Sequence, residues 1–153
     1  MRKGWISEPL YSEIKSLMPI PCVDLLIVHD RRLLLMKRKN EPAKGLWFTP
    51  GGRILLGESL EDAARRVLHE ETSLETSSIE KMGVMTHIWS GAQTVTVYFK
   101  VTVGSYDIKM DAQHNDFIWI DRVTDDLHPY IREMITQANI FNKSQKSSRT
   151  ELP

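Results

Sequence analysis

The stretch "TPGGRILLGESLEDAARRVLHEETSL", Thr49 to Leu74, decides how the rest of the chain is read. It opens on a glycine pair, Gly51-Gly52, passes Gly57 and Glu58, and ends in a run with helical spacing. Ser59, with Asp62 three residues on, gives that run a capping-box-like start, and the helix is predicted to extend to about Ser73. Counting roughly 100° per residue from Leu60, Ala64 falls at about +40°, Leu68 at about +80°, Ala63 at about −60° and Val67 at about −20°. These positions define a face meant for burial. Glu71 falls at about +20°, inside that face, and Glu70 at about −80°, at its edge and one turn after Arg66.

A carboxylate on a buried face is costly unless something compensates it. A helix end reaching solvent and a salt bridge to an arginine are two ordinary answers. The glycines upstream open a third. A glycine-rich loop lets backbone groups approach an ion or a phosphate closely. Carboxylates, a carbonyl and waters are the ligand set of Mg²⁺ or Mn²⁺, usually completed by substrate phosphate oxygens.

Outward from this stretch, the chain reads as strands with a helix at each end. "SEPLYSEIKSLM" is a short helix, with Ser7 as cap, Pro9 early in it and Pro19 as its stop. "CVDLLIVHD" and "LLLMKR" are two strands paired across the turn Asp30-Arg31-Arg32, and a long loop, "KNEPAKGLWFTPGG", follows. "KMGVMTHIWS" and "TVTVYFKVTV" are strands joined by "SGAQ", and "DFIWID" is another. "HPYIREMITQANIF" is a terminal amphipathic helix with Pro129 in its first turn. The expected fold class is α/β, a mixed sheet flanked by helices, in a single domain over 1–142. The polar, aperiodic residues 143–153 are expected to be a disordered tail.

Composition sets the outer limits. The 153 residues are 41% hydrophobic and 26% charged, ordinary for one soluble domain. Lysine plus arginine equals aspartate plus glutamate at 20 each, which gives no electrostatic case for general nucleic-acid or membrane binding. The single cysteine, Cys22, has no internal disulfide partner, so a cytoplasmic location is expected. "MRKGWISEPL" has no apolar core of signal-peptide length, and runs such as Leu25–Val28 are too short to span a bilayer.

The quoted stretch resembles the Nudix box, Gly-x5-Glu-x7-Arg-Glu-(apolar)-x-Glu-Glu-x-Gly-(apolar). Gly52, Glu58, Arg66, Glu70 and Glu71 keep its spacing without a gap. Val67 stands where the family has a glutamate and Ser73 where it has a glycine. The family implies an α/β/α sandwich, a divalent metal and a nucleoside-diphosphate-linked substrate. The valine removes a carboxylate from the metal cluster of ordinary members, which argues for fewer ions and against attack at phosphorus. The serine is expected to be mild, since a residue there need only turn the chain.

"LLMKRKNEPAKGLWFTPGGR" and "DAQHNDFIWI" further resemble the GDP-mannose mannosyl hydrolase branch, which lacks the same glutamate. That resemblance implies water attack at the anomeric carbon of a nucleoside diphosphate sugar, with inversion. It implies that the Gly51 carbonyl, Glu71 and Gln113 hold Mg²⁺ (or Mn²⁺), with Glu70 a further ligand or an orienting carboxylate. Arg38 and Arg53 match positions that bind the diphosphate. Arg66 is open to substrate or to pairing with Glu70 or Glu58, and Arg38 by itself reads equally as a solvated strand end. His114, in the polar segment before a strand, is the general-base candidate, since an imidazole titrates near neutrality; taken alone, a loop histidine is more often a bystander. Asp24, among apolar strand residues, touches the sugar hydroxyls or is a satisfied buried carboxylate. His87 matches a histidine near the nucleotide or leaving group. His29, His69 and His128 read as surface residues, and Tyr98 sits out of register with the tyrosine the branch has nearby. The resemblance also implies a homodimer, with Trp5 and Tyr11 of the N-terminal helix available to it. Two other readings stay open: a pyrophosphohydrolase attacking phosphorus, and a nucleotide-binding module without catalysis.

Overall fold

The computed structural model describes residues 4–41, 43–76, 78–112 and 114–141. Its elements run α1 (Glu8–Leu17), β1 (Ile20–His29), β2 (Arg32–Arg38), β3 (Trp47–Phe48), β4 (Gly51–Arg53), α2 (Leu60–Thr72), β5 (Ser78–Trp89), β6 (Ala92–Thr102), β7 (His114–Ile120) and α3 (Pro129–Gln137). The main path through the sheet is β3-β2-β1-β6-β5, with β4 on β1 and β7 on β2. β1 and β6 are parallel and the other pairs antiparallel, so the sheet is mixed.

Alternation along β1 sorts the core into two layers. Val23, Leu25 and Ile27 face Ala63, Ala64, Val67 and Leu68 of α2. Leu26 belongs to the opposite layer, with Tyr130, Ile131, Met134 and Ile135 of α3. The result is the expected α/β/α arrangement around a mixed sheet. Each large apolar side chain fully buried in either layer stabilises the fold by roughly 1.5–3 kcal/mol. α1 buries no residue fully, and Ser7 holds its N-cap position without a side-chain cap bond, contrary to the cap read from sequence.

The helix α2 starts and stops for visible reasons. Ser59 Oγ accepts from the Asp62 amide at 3.0 Å. At the other end Ser73 turns into the left-handed region at φ 61°. The long loop of the sequence reading contains two short strands, β3 and β4, too brief to carry a periodic signal. The β5–β6 turn is tighter than "SGAQ": Trp89 pairs with Ala92 around Ser90-Gly91, and Gly91 adopts φ 74°.

Candidate active site

β1 changes partner along one side. Cys22 to Asp24 pair with β4, whereas Val28 and His29 pair with β2. Asp24 lies opposite Gly51 at the end of the β4 ladder, and the next amide, Leu25 N–H, donates to the Pro50 carbonyl at 2.8 Å. A β-carbon on Gly51 would fall 2.0 Å from Asp24 Oδ1 and 2.8 Å from the Val23 carbonyl oxygen. No side chain fits there, so only glycine lets this backbone and the Asp24 carboxylate meet.

Glu71 reaches the same place from α2. It is 6% exposed, as its position on the apolar face requires. Gly51 supplies it a backbone hydrogen bond, yet among the described residues its Oε2 is buried without a hydrogen-bond partner. Burial pushes its carboxyl well above the usual carboxylate range, Asp111 and Asp24 add to that, and Arg38 opposes it. Asp24 is likewise pushed up, by burial, to about 7, against the Tyr130 hydrogen bond and the Arg38 charge. Two carboxylates that raise the pKa of a third, buried one with an orphaned oxygen make a site short of positive charge.

His114 and Asp111 complete the group. The possible ligating atoms of Glu71, Asp111 and His114 all lie within 4.8 Å of one another. His114 Nδ1 is 2.6 Å from Asp111 Oδ1. The sequence reading put His114 in a loop before the strand; instead it opens β7, opposite Arg38 of β2, and is 3% exposed. β7 starts two residues earlier than its apolar pattern because the pairing with β2 extends to Arg38 across an irregularity at Lys37. Asp111 was not singled out from sequence. Its one local signal is the Asp-x-x-His spacing to His114. Gln113 lies outside the described residues, as does the tail 143–153.

The remaining box residues form a second, adjoining network. Arg66 Nε bonds Glu58 Oε1, and its Nη2 donates to Glu58 Oε2 at 3.0 Å and to the Arg53 carbonyl at 2.8 Å. Its Nη1 donates to Glu70 Oε2 at 3.2 Å. Of the roles open to Arg66, the structure displays pairing with Glu58 and Glu70. Glu70 is an exposed member of this network, and the group of Glu71, Asp111 and His114 does not include it. Arg53 donates Nη2 to the Gly4 carbonyl at 2.6 Å and lies over the Tyr11 ring, so it braces the N-terminal segment. Val67, 2% exposed, packs where a β-carbon on Gly52 would lie 3.3 Å from its Cγ2.

His87 is held elsewhere, in a cluster of rings. Its centroid is 4.2 Å from Trp89, 4.8 Å from Tyr130 and 5.5 Å from His128. Phe48 packs 5.5 Å from Trp89 and 5.3 Å from His128. Tyr130 ties the cluster to the site, its hydroxyl donating to Asp24 Oδ2 at 3.2 Å. His128 is thus a half-buried cap of α3, not a surface residue; the α3 register that carries it here could not be read from a lone histidine. His29 is also half-buried, with Nδ1 2.8 Å from the Val103 carbonyl oxygen, whereas His69 is exposed as expected.

The residues present fit a divalent cation. The orphaned buried oxygen of Glu71 and the Gly51 cradle that a β-carbon would fill converge on one place, and the Asp111–His114 pair stands beside it within 4.8 Å. Among the described residues no helix is long and apolar enough to cross a membrane.

Comparison with known proteins agrees with this architecture. The model of the NUDIX domain matches residues 18–136. The chain is 30% identical over 138 residues to the low-salt glycan biosynthesis protein Agl8 of Haloferax volcanii, covering 85% of this chain and 88% of the relative. It is 43% identical over 66 residues to an ADP-ribose pyrophosphatase of Methanocaldococcus jannaschii, covering 43% of this chain and 39% of that protein. Among solved structures, the MutT NUDIX hydrolase of Burkholderia pseudomallei superposes with a TM-score of 0.71 at 27% identity, over 78% of this chain and 98% of that one. The NUDIX domain of Shewanella oneidensis NrtR, complexed with ADP ribose, gives 0.68 at 27%, over 88% and 97%. With its fold, its box and a match over most of its length, the chain belongs to the Nudix family.

Proposed function

We propose that the protein is a Mg²⁺-dependent hydrolase of nucleoside diphosphate sugars, of the GDP-mannose or GDP-glucose type. Water attacks the anomeric carbon, and nucleoside diphosphate and free sugar leave. One observation carries this reading. The carboxylate helix delivers a single buried carboxylate, Glu71, beside a positioned Asp111–His114 pair, while Val67 fills the place of the family's further glutamate with a packed apolar side chain. A site with few metal-binding carboxylates and a positioned histidine suits activation of water, with an ion needed only on the leaving group.

Glu71, the Gly51 carbonyl and Gln113 would hold the ion, with Glu70 orienting through Arg66. When bound, the ion neutralises charge on the diphosphate and makes it a better leaving group. The rest is done by the chain. With Asp111 accepting from Nδ1–H, His114 is left with Nε2 as its proton acceptor. As the water oxygen bonds to the sugar carbon, its proton passes to Nε2, and the bond from that carbon to the phosphate oxygen breaks with its electron pair on the diphosphate. Arg38, electrostatically coupled to Glu71 and Asp24, supplies fixed positive charge beside that oxygen. Asp24 accepts from sugar hydroxyls. A relative named for glycan biosynthesis, aligned along most of the chain, favours a sugar substrate.

The second reading is a pyrophosphohydrolase attacking phosphorus. The ADP-ribose pyrophosphatase that matches over 66 residues favours it, and the loss of the glutamate at Val67 weighs against it. Products formed from GDP-mannose in ¹⁸O-water with MgCl₂ decide between them. Label in the free sugar with unlabelled GDP is expected. Label in GMP or sugar phosphate would replace the proposal with the second reading, and tight binding without turnover across nucleotide sugars would indicate a binding module.

A further inference from the structure

We propose that His87, Trp89 and His128 rim a stacking subsite for the sugar ring of the substrate, floored by Phe48 and Tyr130 and bounded by Asp24. The inference rests on the sugar-nucleotide reading above and adds five ring-bearing residues to it.

Three elements build the subsite. His87 and Trp89 stand two residues apart on β5 and so share a face of the strand. His128 and Tyr130 come from the start of α3, and Phe48 from β3. Phe48 and Tyr130 are buried, whereas His87, Trp89 and His128 are half-buried and keep accessible surface. Trp89 also lines an open cleft of about 310 Å³ between the end of α1 and the β5–β6 hairpin.

The chemistry of the rim is that of a neutral, hydroxyl-bearing ring. His128 Nδ1 accepts from the Tyr130 amide at 3.1 Å, which places the imidazole proton on Nε2 as a donor. Burial and the neighbouring His87 lower the His128 pKa, which disfavours its charged form. Ring faces suit the apolar C–H face of a sugar. One fixed N–H donor and one carboxylate acceptor, Asp24, suit its hydroxyls. An anionic group would gain no full charge here.

Position separates a sugar from a nucleobase. Tyr130 links the floor directly to Asp24, and Asp24 abuts Gly51 and is coupled to Glu71. The subsite is therefore contiguous with the place of the diphosphate. The sugar is bonded directly to that diphosphate, whereas the base stands off by a ribose.

The test is titration calorimetry on the full chain, with Ca²⁺ in place of Mg²⁺ and product analysis confirming intact ligand. GDP-mannose, GDP-glucose and ADP-ribose are each compared with the nucleoside diphosphate they contain. Trp89→Ala and His128→Asn are each expected to weaken the preferred sugar nucleotide about ten-fold, towards the value for its diphosphate alone. Binding of the diphosphate itself is expected to hold within about two-fold. Asparagine keeps a cap acceptor for Tyr130 N–H, so His128→Asn carries the test if Trp89→Ala fails to fold. Equal losses for GDP would place the base on the rim and overturn the proposal. So would unchanged affinities, or a wild type that binds no sugar nucleotide better than its diphosphate. Attack at phosphorus with the sugar preference intact would remove the proposed reaction and leave the subsite standing.

Discussion

Asp111 Oδ1 lies 2.6 Å from His114 Nδ1, and both residues adjoin the buried carboxylate of Glu71. The aspartate fixes which nitrogen of the ring carries the proton. Asp111→Asn is expected to lower kcat by roughly 10²–10³-fold, in the range of general-base contributions. His114→Gln should do the same with metal affinity nearly retained. Steady-state kinetics beside a Mn²⁺ titration checks both, and full activity of His114→Gln from pH 6 to 9 would remove the general-base role.

Glu71→Gln is expected to weaken divalent binding at least as much as loss of a ligand's supporting partner, roughly 10–100-fold. Without metal the same change replaces a carboxyl whose charged form burial disfavours with a neutral amide of the same shape, so the metal-free melting temperature should hold or rise. A Mn²⁺ titration with melts of the metal-free variant separates these effects. Unchanged Mn²⁺ affinity would place the ion elsewhere.

Asp24 makes metal-free stability depend on pH. Its carboxyl moves from 3.8 to about 7 on folding, so the folded state binds its proton more tightly than the unfolded chain. That contribution is fully present below pH about 4 and is lost as pH rises through about 7. Metal-free protein should therefore melt lower at pH 8 than at pH 5, and Asp24→Asn should flatten the difference. Melts of chelated protein across that range measure it, and an equal slope in both proteins would refute the assignment.

Ser73 costs stability where the box has glycine. At φ 61° a side chain costs roughly 1–2 kcal/mol, and glycine's freedom in the unfolded chain returns about 0.4–1. Ser73→Gly should raise unfolding free energy by roughly 0.5–1 kcal/mol in urea titrations. The substitution is thus less mild than a simple turn would suggest.

Val67→Glu restores the family's carboxylate to a position that is 2% exposed and packed against Gly52. Metal-free stability is expected to fall by about 2–4 kcal/mol, with part recovered in Mn²⁺. Melting curves with and without Mn²⁺ test it. No loss on chelation would mean that the side chain escapes to solvent.

What the sequence determined was local. The 3.6-residue period put Glu71 on the buried face of α2, and the spacing from Gly52 to Glu71 carried the family. Alternation and β-branching located β1, β2, β5 and β6 to within a few residues. Arg66 pairs with Glu58 and Glu70 because one helical turn and one short loop separate them, so that network was open to sequence reasoning as well. Tertiary structure decided which of these residues meet. Glu71, Asp24 and the Asp111–His114 pair come from one helix and two separate segments, and long-range pairing of β1 with β4 and β2 with β7 assembles them. The same holds for His128 and Tyr130, which only the docking of α3 against Phe48 and β5 brings to Asp24. Sequence spacing fixes neighbours along an element, where bond geometry sets the angle. It carries no distance between elements, because that follows from burying the two apolar layers of the sheet at once.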